Sequence, residues 1–459
     1  MLKNIILIPI VTVLLCLQSC EEAGTADATD AVTDDVSTNT NPGDTILSGN
    51  VPTDVPFAGL TDNDINNRPA FDEFSWQMFV ALCWPVDSLK RGVPLDPNNP
   101  QEFLSMSNST PVVWTSYKNQ WDLFDQGANV PSGWNDPLAP SKCGTTGVNH
   151  VFNTSKNVTV VGEADESFSV PLIDQNKNYT LFELRYNKPQ YEFIADNGLY
   201  NSTKLMKYQM NHGDTLAMPS STDDKEGSIL VKAAWKQLTK GDPNNKRYYV
   251  ISQMVFDPVS ESCVEMTLGL VGLHMAQKTK NFPEWIWSSF EQVDNVPGAA
   301  GCKEPYSYND GKGTYSAETD VHGFANKPGP KLIQDKSKRV PVQVTRLNEI
   351  PATPSGNSTV DINKKYQGIV KGTWMENYQL VITQWPSNPG SFTQYTQNGF
   401  YPGQAGGAFP VNDCVNTTME TYFQNQSDAV GAGGNSCMGC HYKAPNVDFS
   451  WSVFLRSHN

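Results

Sequence analysis

Apolar and polar residues alternate in two rhythms along this chain. In "PAFDEFSWQMFVALCWP", Phe71, Phe74, Met78 and Leu82 recur at helical spacing, and Pro69 and Pro85 bracket the run. The spacing predicts a helix at the start of the folded part. Further on the rhythm shortens. "NVTVVGE" (157–163), "YTLFELRY" (179–186), "GSILVKAAW" (227–235), "RYYVISQMVF" (247–256), "VPVQVTRL" (340–347) and "YQLVITQW" (378–385) are rich in β-branched and aromatic residues. Asn, Asp, Gly and Pro clusters such as "TKGDPNNK" and "SYNDGKGT" separate them as turns. Helices do not alternate regularly with these strands. The expected class is therefore α+β: a large β-rich domain, not a doubly wound parallel sheet.

The first 50 residues break both rhythms. "MLKNIILIPIVTVLLCLQSC" carries Lys3, an apolar stretch from Ile5 to Leu17, then small and polar residues, which is the layout of a secretory signal. The apolar run is shorter than the ~20 residues a spanning helix needs. Its end, Leu17-Gln18-Ser19-Cys20, resembles a bacterial lipobox. The resemblance implies a lipoprotein signal peptide over 1–19 and lipid on Cys20. Residues 20–50 are mostly Thr, Asp, Ala and Gly, so they bury too little surface to offset their ordering entropy and are expected to form a disordered acidic tether. Glu21 and Glu22 look like a surface-export tag, or serve as part of that tether. The expected location is the cell envelope, at the outer membrane or cell surface, with the lipid anchor as the membrane partner.

Composition narrows the classes. At 459 residues and 38% hydrophobic, the chain can build a sizeable core beyond the tether. A net charge of −15 repels phosphate backbones, so no nucleic-acid partner is expected. Once Cys16 leaves with the signal and Cys20 takes lipid, seven cysteines remain, and an oxidising compartment would pair most of them. Cys263 with Cys302 is the pairing expected.

The chemistry concentrates near the end, in "GAGGNSCMGCHYKAP". Cys-x-x-Cys-His reads as a c-type haem attachment site. Residues three apart share a helix face, so both sulfurs can reach the two vinyl groups on one porphyrin edge. His441, one residue on, then ligates iron. Cys437 and Cys440 are thus the expected thioether residues and His441 the proximal ligand of one covalent haem c. A structural zinc site needs four ligands, and the chain has no second Cys-x-x-Cys. A thioredoxin-like dithiol needs a preceding strand, which "VGAGGNS" is not.

With "SCMGCH" preceded by "NTTMETYFQ", and with "FDEFSWQMFVALCWP", "GLVGLHMAQKTKNFPEWIWSSFEQVDN" and "GSILVKAAW", the chain resembles exported bacterial cytochrome c family proteins from about residue 70 onward. The resemblance carries Cys437, Cys440 and His441 over as haem-binding residues. A compact cytochrome c domain runs well past its motif to a distal Met. Here "YKAPNVDFSWSVFLRSHN" follows and holds no Met. Residues 411–459 are therefore expected to be a short helical haem-c-binding segment packed on a β-rich domain over 51–410.

A sixth ligand would have to come from the large domain. Met419 is one candidate; Thr417 and Glu420 fit a capping box that would start a short helix there. His274, in the apolar "GLVGLHMAQK", is the other. Each could equally be a core residue. Met275 is a weaker candidate, and His150, His212, His322 and His458 sit in turn-rich or terminal segments. Phe449, Trp451, Trp285 and Trp287 could wall the cofactor, and Lys443 could hold a propionate. Two function classes follow. One is a cytochrome passing single electrons to an unidentified redox partner. The other is a haem-dependent oxidoreductase, peroxidase-like, with an open iron. A third reading is a surface-binding protein with a structural haem. No nucleophile–base set or phosphate loop stands out.

Overall fold

The computed structural model describes residues 47–55, 64–125, 127–138, 171–213, 216–257, 262–313, 333–387, 389, 408–410, 415–424, 437–441, 444 and 446–457. The signal, Cys20, nearly all of the tether, Glu21 and Glu22 lie outside the described residues, as do "NVTVVGE", His150, His322, Lys443 and His458.

The strand-like stretches join in one eight-stranded antiparallel sheet. Its strands are β1 (Lys118–Asn119), β2 (Leu181–Tyr186), β3 (Ile229–Gln237), β4 (Val250–Asp257), β5 (Ser262–Gln277), β6 (Ile286–Gln292), β7 (Tyr378–Pro386) and β8 (Ala408–Phe409). The order is β1-β2-β3-β5-β6-β7-β8, with β4 pairing along the first half of β5. The fold is α+β, as its sequence pattern implies. Two strands carry no clear alternation in sequence. β5 is the longest at 16 residues, and its second half is buried on both faces, so its apolar run gives no period. β6 is buried at every position. "VPVQVTRL" is not a strand of the sheet. Val342 N–H donates to the Ile173 carbonyl and Val344 N–H to that of Tyr308, while both valines fill a core cluster.

The first helix, α1 (Asp64–Leu82), buries Phe71, Phe74, Met78 and Leu82 as its spacing predicts. It also buries Trp76, Phe79 and Val80, since it lies between the sheet and other chain. Phe71 stacks on Trp385 of β7 at 4.1 Å and Phe79 on Phe290 of β6 at 4.3 Å. Pro69 does not mark its start. It lies inside the helix, costing one backbone bond near the N-terminal end. Under α1 runs a buried polar chain: the Ser75 hydroxyl meets those of Ser288 and Thr383, and Thr383 donates to Asp72 at 2.7 Å.

Short helices α2 (Pro100–Ser105), α3 (Gln120–Leu123), α4 (Lys188–Asp196) and α5 (Ser202–Asn211) border the sheet sequence. Helix α6 (Thr359–Ile369) packs beside α1, where Trp76 stacks on Tyr366 at 5.3 Å. Two more close the chain: α7 (Cys437–His441) and α8 (Trp451–Arg456). The expected Cys263–Cys302 pairing does not form. Cys263 is disulfide-bonded, but Cys302 is a buried thiol packed with Val293 and Tyr306, 3.9 Å from the Tyr306 hydroxyl.

Candidate functional site

Strand alternation divides the chemistry between two faces. Ser288, Phe290, Thr383 and Trp385 meet α1, so their neighbours Trp287, Ser289, Glu291, Ile382 and Gln384 point to the opposite face. Register then aligns Lys232 of β3, His274 of β5, Ser289 of β6 and Ile382 of β7 side by side across four strands. A lone lysine and a lone histidine in apolar strands become cross-strand partners.

Two late segments dock on this face. The first is the turn around Asn416–Glu420. Glu291 accepts from the Thr417 amide at 3.1 Å and its hydroxyl at 2.8 Å, and Asn416 donates to the Phe290 carbonyl at 2.7 Å. The predicted capping box does not form there. The Thr417 hydroxyl is taken by Glu291, Glu420 reaches back to the Asn416 amide at 2.9 Å, and a single 3-10 turn begins only at Thr421. The fit is close: a Cβ on Gly272 would stand 2.3 Å from the Thr418 hydroxyl.

The second segment is α7. The Met438 amide donates to the Gln384 side chain at 2.7 Å, and Cys437 packs against Val381 and Ile382 as a thiol. The side chain of Cys440 lies outside the described residues. The His441 ring sits 4.4 Å from that of Trp287, tilted by 43°. Its Nδ1 is 2.8 Å from the Phe449 carbonyl oxygen. Burial pushes the His441 pKa down to about 4, against the Phe449 hydrogen bond; the nearby Lys232 and His274 side chains lower it further, and Glu420 opposes them. A neutral ring donating from Nδ1 keeps its Nε2 lone pair available, the arrangement that metal-binding imidazoles adopt.

His274 belongs to the same neighbourhood. Its Nε2 is shut off from solvent and forms no hydrogen bond with any described group; the Glu420 carboxylate lies 3.5 Å away. An imidazole nitrogen left so is costly unless something else satisfies it. Met419 differs. It is fully buried in an apolar cluster with Val271, Val344 and Tyr422, and its methyl lies 3.5 Å from where a Gly272 Cβ would be. Met275 is buried in the cluster of the α1 side. His212 is exposed and stacks on Tyr208 at 4.0 Å. Trp235 is core, its indole donating to Glu183 at 3.0 Å.

Sequence reasoning singled out His274 and His441 but not what joins them. Lys232, Lys278 and Asp448 escaped it, and Glu420 entered only as a capping residue. The signal for Lys232 was a charge inside "ILVKAAW"; Lys278 and Asp448 carried none. Among the described residues, no group of three or more His, Cys, Asp and Glu side chains is arranged to hold a metal ion, and no helix is long and apolar enough to cross a membrane. No protein-family model, curated protein or solved structure matches the chain.

Proposed function

We propose that this chain is a c-type cytochrome lipoprotein that carries single electrons at the cell envelope. Cys437 and Cys440 would hold one haem by thioethers, and His441 would be its proximal ligand. When bound, the haem supplies a one-electron iron couple. The observation that carries the reading is the state of two imidazoles on one sheet face. His441 has Nδ1 tied to the Phe449 carbonyl, and His274 has a solvent-shielded Nε2 that no described group hydrogen-bonds, with the Glu420 carboxylate 3.5 Å away. The donor set fits a haem better than a bare ion. It comprises a Cys-x-x-Cys-His turn over an apolar and aromatic floor of Val381, Ile382 and Trp287.

His274 is the better sixth-ligand candidate, because Met419 already has the apolar contacts of a packed core residue. Lipidation of Cys20, the 20–50 tether and an outer-membrane or surface location complete the proposal, supported by the N-terminal pattern.

The Glu420–His274 pair favours one rival, a haem-dependent oxidoreductase. There the imidazole would move protons under carboxylate control, and the iron would stay open. Optical spectra of the ferric and ferrous protein separate the two. Low-spin bands indifferent to cyanide and carbon monoxide support the carrier. High-spin iron that binds them supports the oxidoreductase.

A further inference from the structure

We propose that Asp448 is a positioning residue for His441, acting through a latched turn; the inference rests on the haem reading above. The turn following α7 is unusual in its backbone. Asn446, Asp448 and Phe449 all have positive φ, at 57°, 52° and 66°. Left-handed backbone is tolerated by Asn and Asp but disfavoured at a bulky residue such as Phe449, and a run of three gains from support. Contacts from elsewhere in the fold can hold such a turn.

The Asp448 carboxylate does so. Lys278 Nζ lies 2.9 Å from one of its oxygens and 2.7 Å from the other, and both side chains are only 6% exposed. The Met218 amide donates at 2.6 Å and the Trp285 indole at 3.4 Å. Gln209 adds a bond to the Asn446 carbonyl at 2.8 Å. Lys278 follows directly on β5, and Trp285 directly precedes β6. The carboxylate therefore pins the turn to the end of the two strands that carry His274 and Trp287. The Phe449 carbonyl, one residue on, is aimed by that turn and accepts from His441 Nδ1. A hydrogen bond at Nδ1 fixes ring orientation and tautomer and makes Nε2 a stronger donor to iron.

A buried ion pair can also serve folding alone, so the test reads the imidazole itself. Asp448→Asn keeps the side-chain shape and loses the charge that holds Lys278. In the full-length holoprotein, the reduction potential of this variant should rise, because a less electron-rich imidazole stabilises ferric iron less. The ferric electron paramagnetic resonance spectrum should change with it. Lys278→Arg with Asp448 intact, which keeps a cation at the carboxylate, should leave both near their wild-type values. Ring nitrogen NMR of His441, on the ferrous holoprotein or the haem-free chain alike, should show a protonated, hydrogen-bonded Nδ1 in wild type that is altered in Asp448→Asn. Should that variant not fold, Lys278→Gln keeps the Met218 and Trp285 donors and is read the same way. Unchanged potential, resonance spectrum and Nδ1 signal in a folded variant overturn the latch. Wild-type protein without covalent haem overturns the haem reading instead, and the NMR comparison still decides the latch.

Discussion

His274 Nε2 and Glu420 Oε2 stand 3.5 Å apart on the sheet face that also carries the Cys437–His441 turn. This pairing brings two distant stretches of sequence, 163 residues before Cys437 in one case and 17 in the other, into one neighbourhood. Replacing His274 with Ala is expected to convert a low-spin ferric spectrum to high-spin and open the iron to cyanide. Met419→Ala should leave the spectrum as it is and instead lower stability by about 2–5 kcal/mol, the range for truncating a buried apolar side chain. The reverse pattern, with Met419 controlling the spectrum, would restore Met419 as the ligand.

Asp72 gives a pH dependence with a definite sign. Burial raises its pKa from 3.8 to about 6, although the Thr359 and Thr383 hydroxyls and Arg68 oppose the rise. Unfolded Asp72 releases its proton near pH 4, while the folded protein keeps it until about pH 6. Its contribution is full below pH 4 and is lost as pH rises through 6, a swing on the order of 2–3 kcal/mol. Denaturation midpoints of wild type and Asp72→Asn across pH 4–7 measure this. The difference in stability between them should shift over that window in the variant's favour; parallel curves would contradict it.

The seating of the Asn416–Glu420 turn can be tested at one glycine. In Gly272→Ala the new Cβ would meet the Thr418 hydroxyl at 2.3 Å, too close for either to stay put. The expected cost is about 1–3 kcal/mol. Gly368→Ala in α6 meets nothing within 4 Å and should stabilise by up to about 1 kcal/mol. Thermal melts of the two variants should move in opposite directions.

The β-rich class was legible in sequence because "YTLFELRY", "GSILVKAAW", "RYYVISQMVF" and "YQLVITQW" advertise strands by composition. β5 was not. Gly269 and Gly272 interrupt it, and burial on both faces erases the alternation. "VPVQVTRL" has strand composition but spends its backbone on single bonds to Ile173 and Tyr308. At the site, Cys-x-x-Cys-His is local and therefore readable. The meeting of Lys232, His274 and Glu420 depends on sheet register and a docked turn, which no local pattern records. Pro69 misled because a proline within an early helical turn resembles a start signal.

Mass spectrometry of the mature protein, digested so that Cys437 and Cys440 stay on one peptide, tests the central claim most directly. The expected result is that peptide carrying the added mass of one haem on its two sulfurs. Recovery of the peptide with bare or merely oxidised cysteines, from cells that attach haem to other exported proteins, would contradict the account.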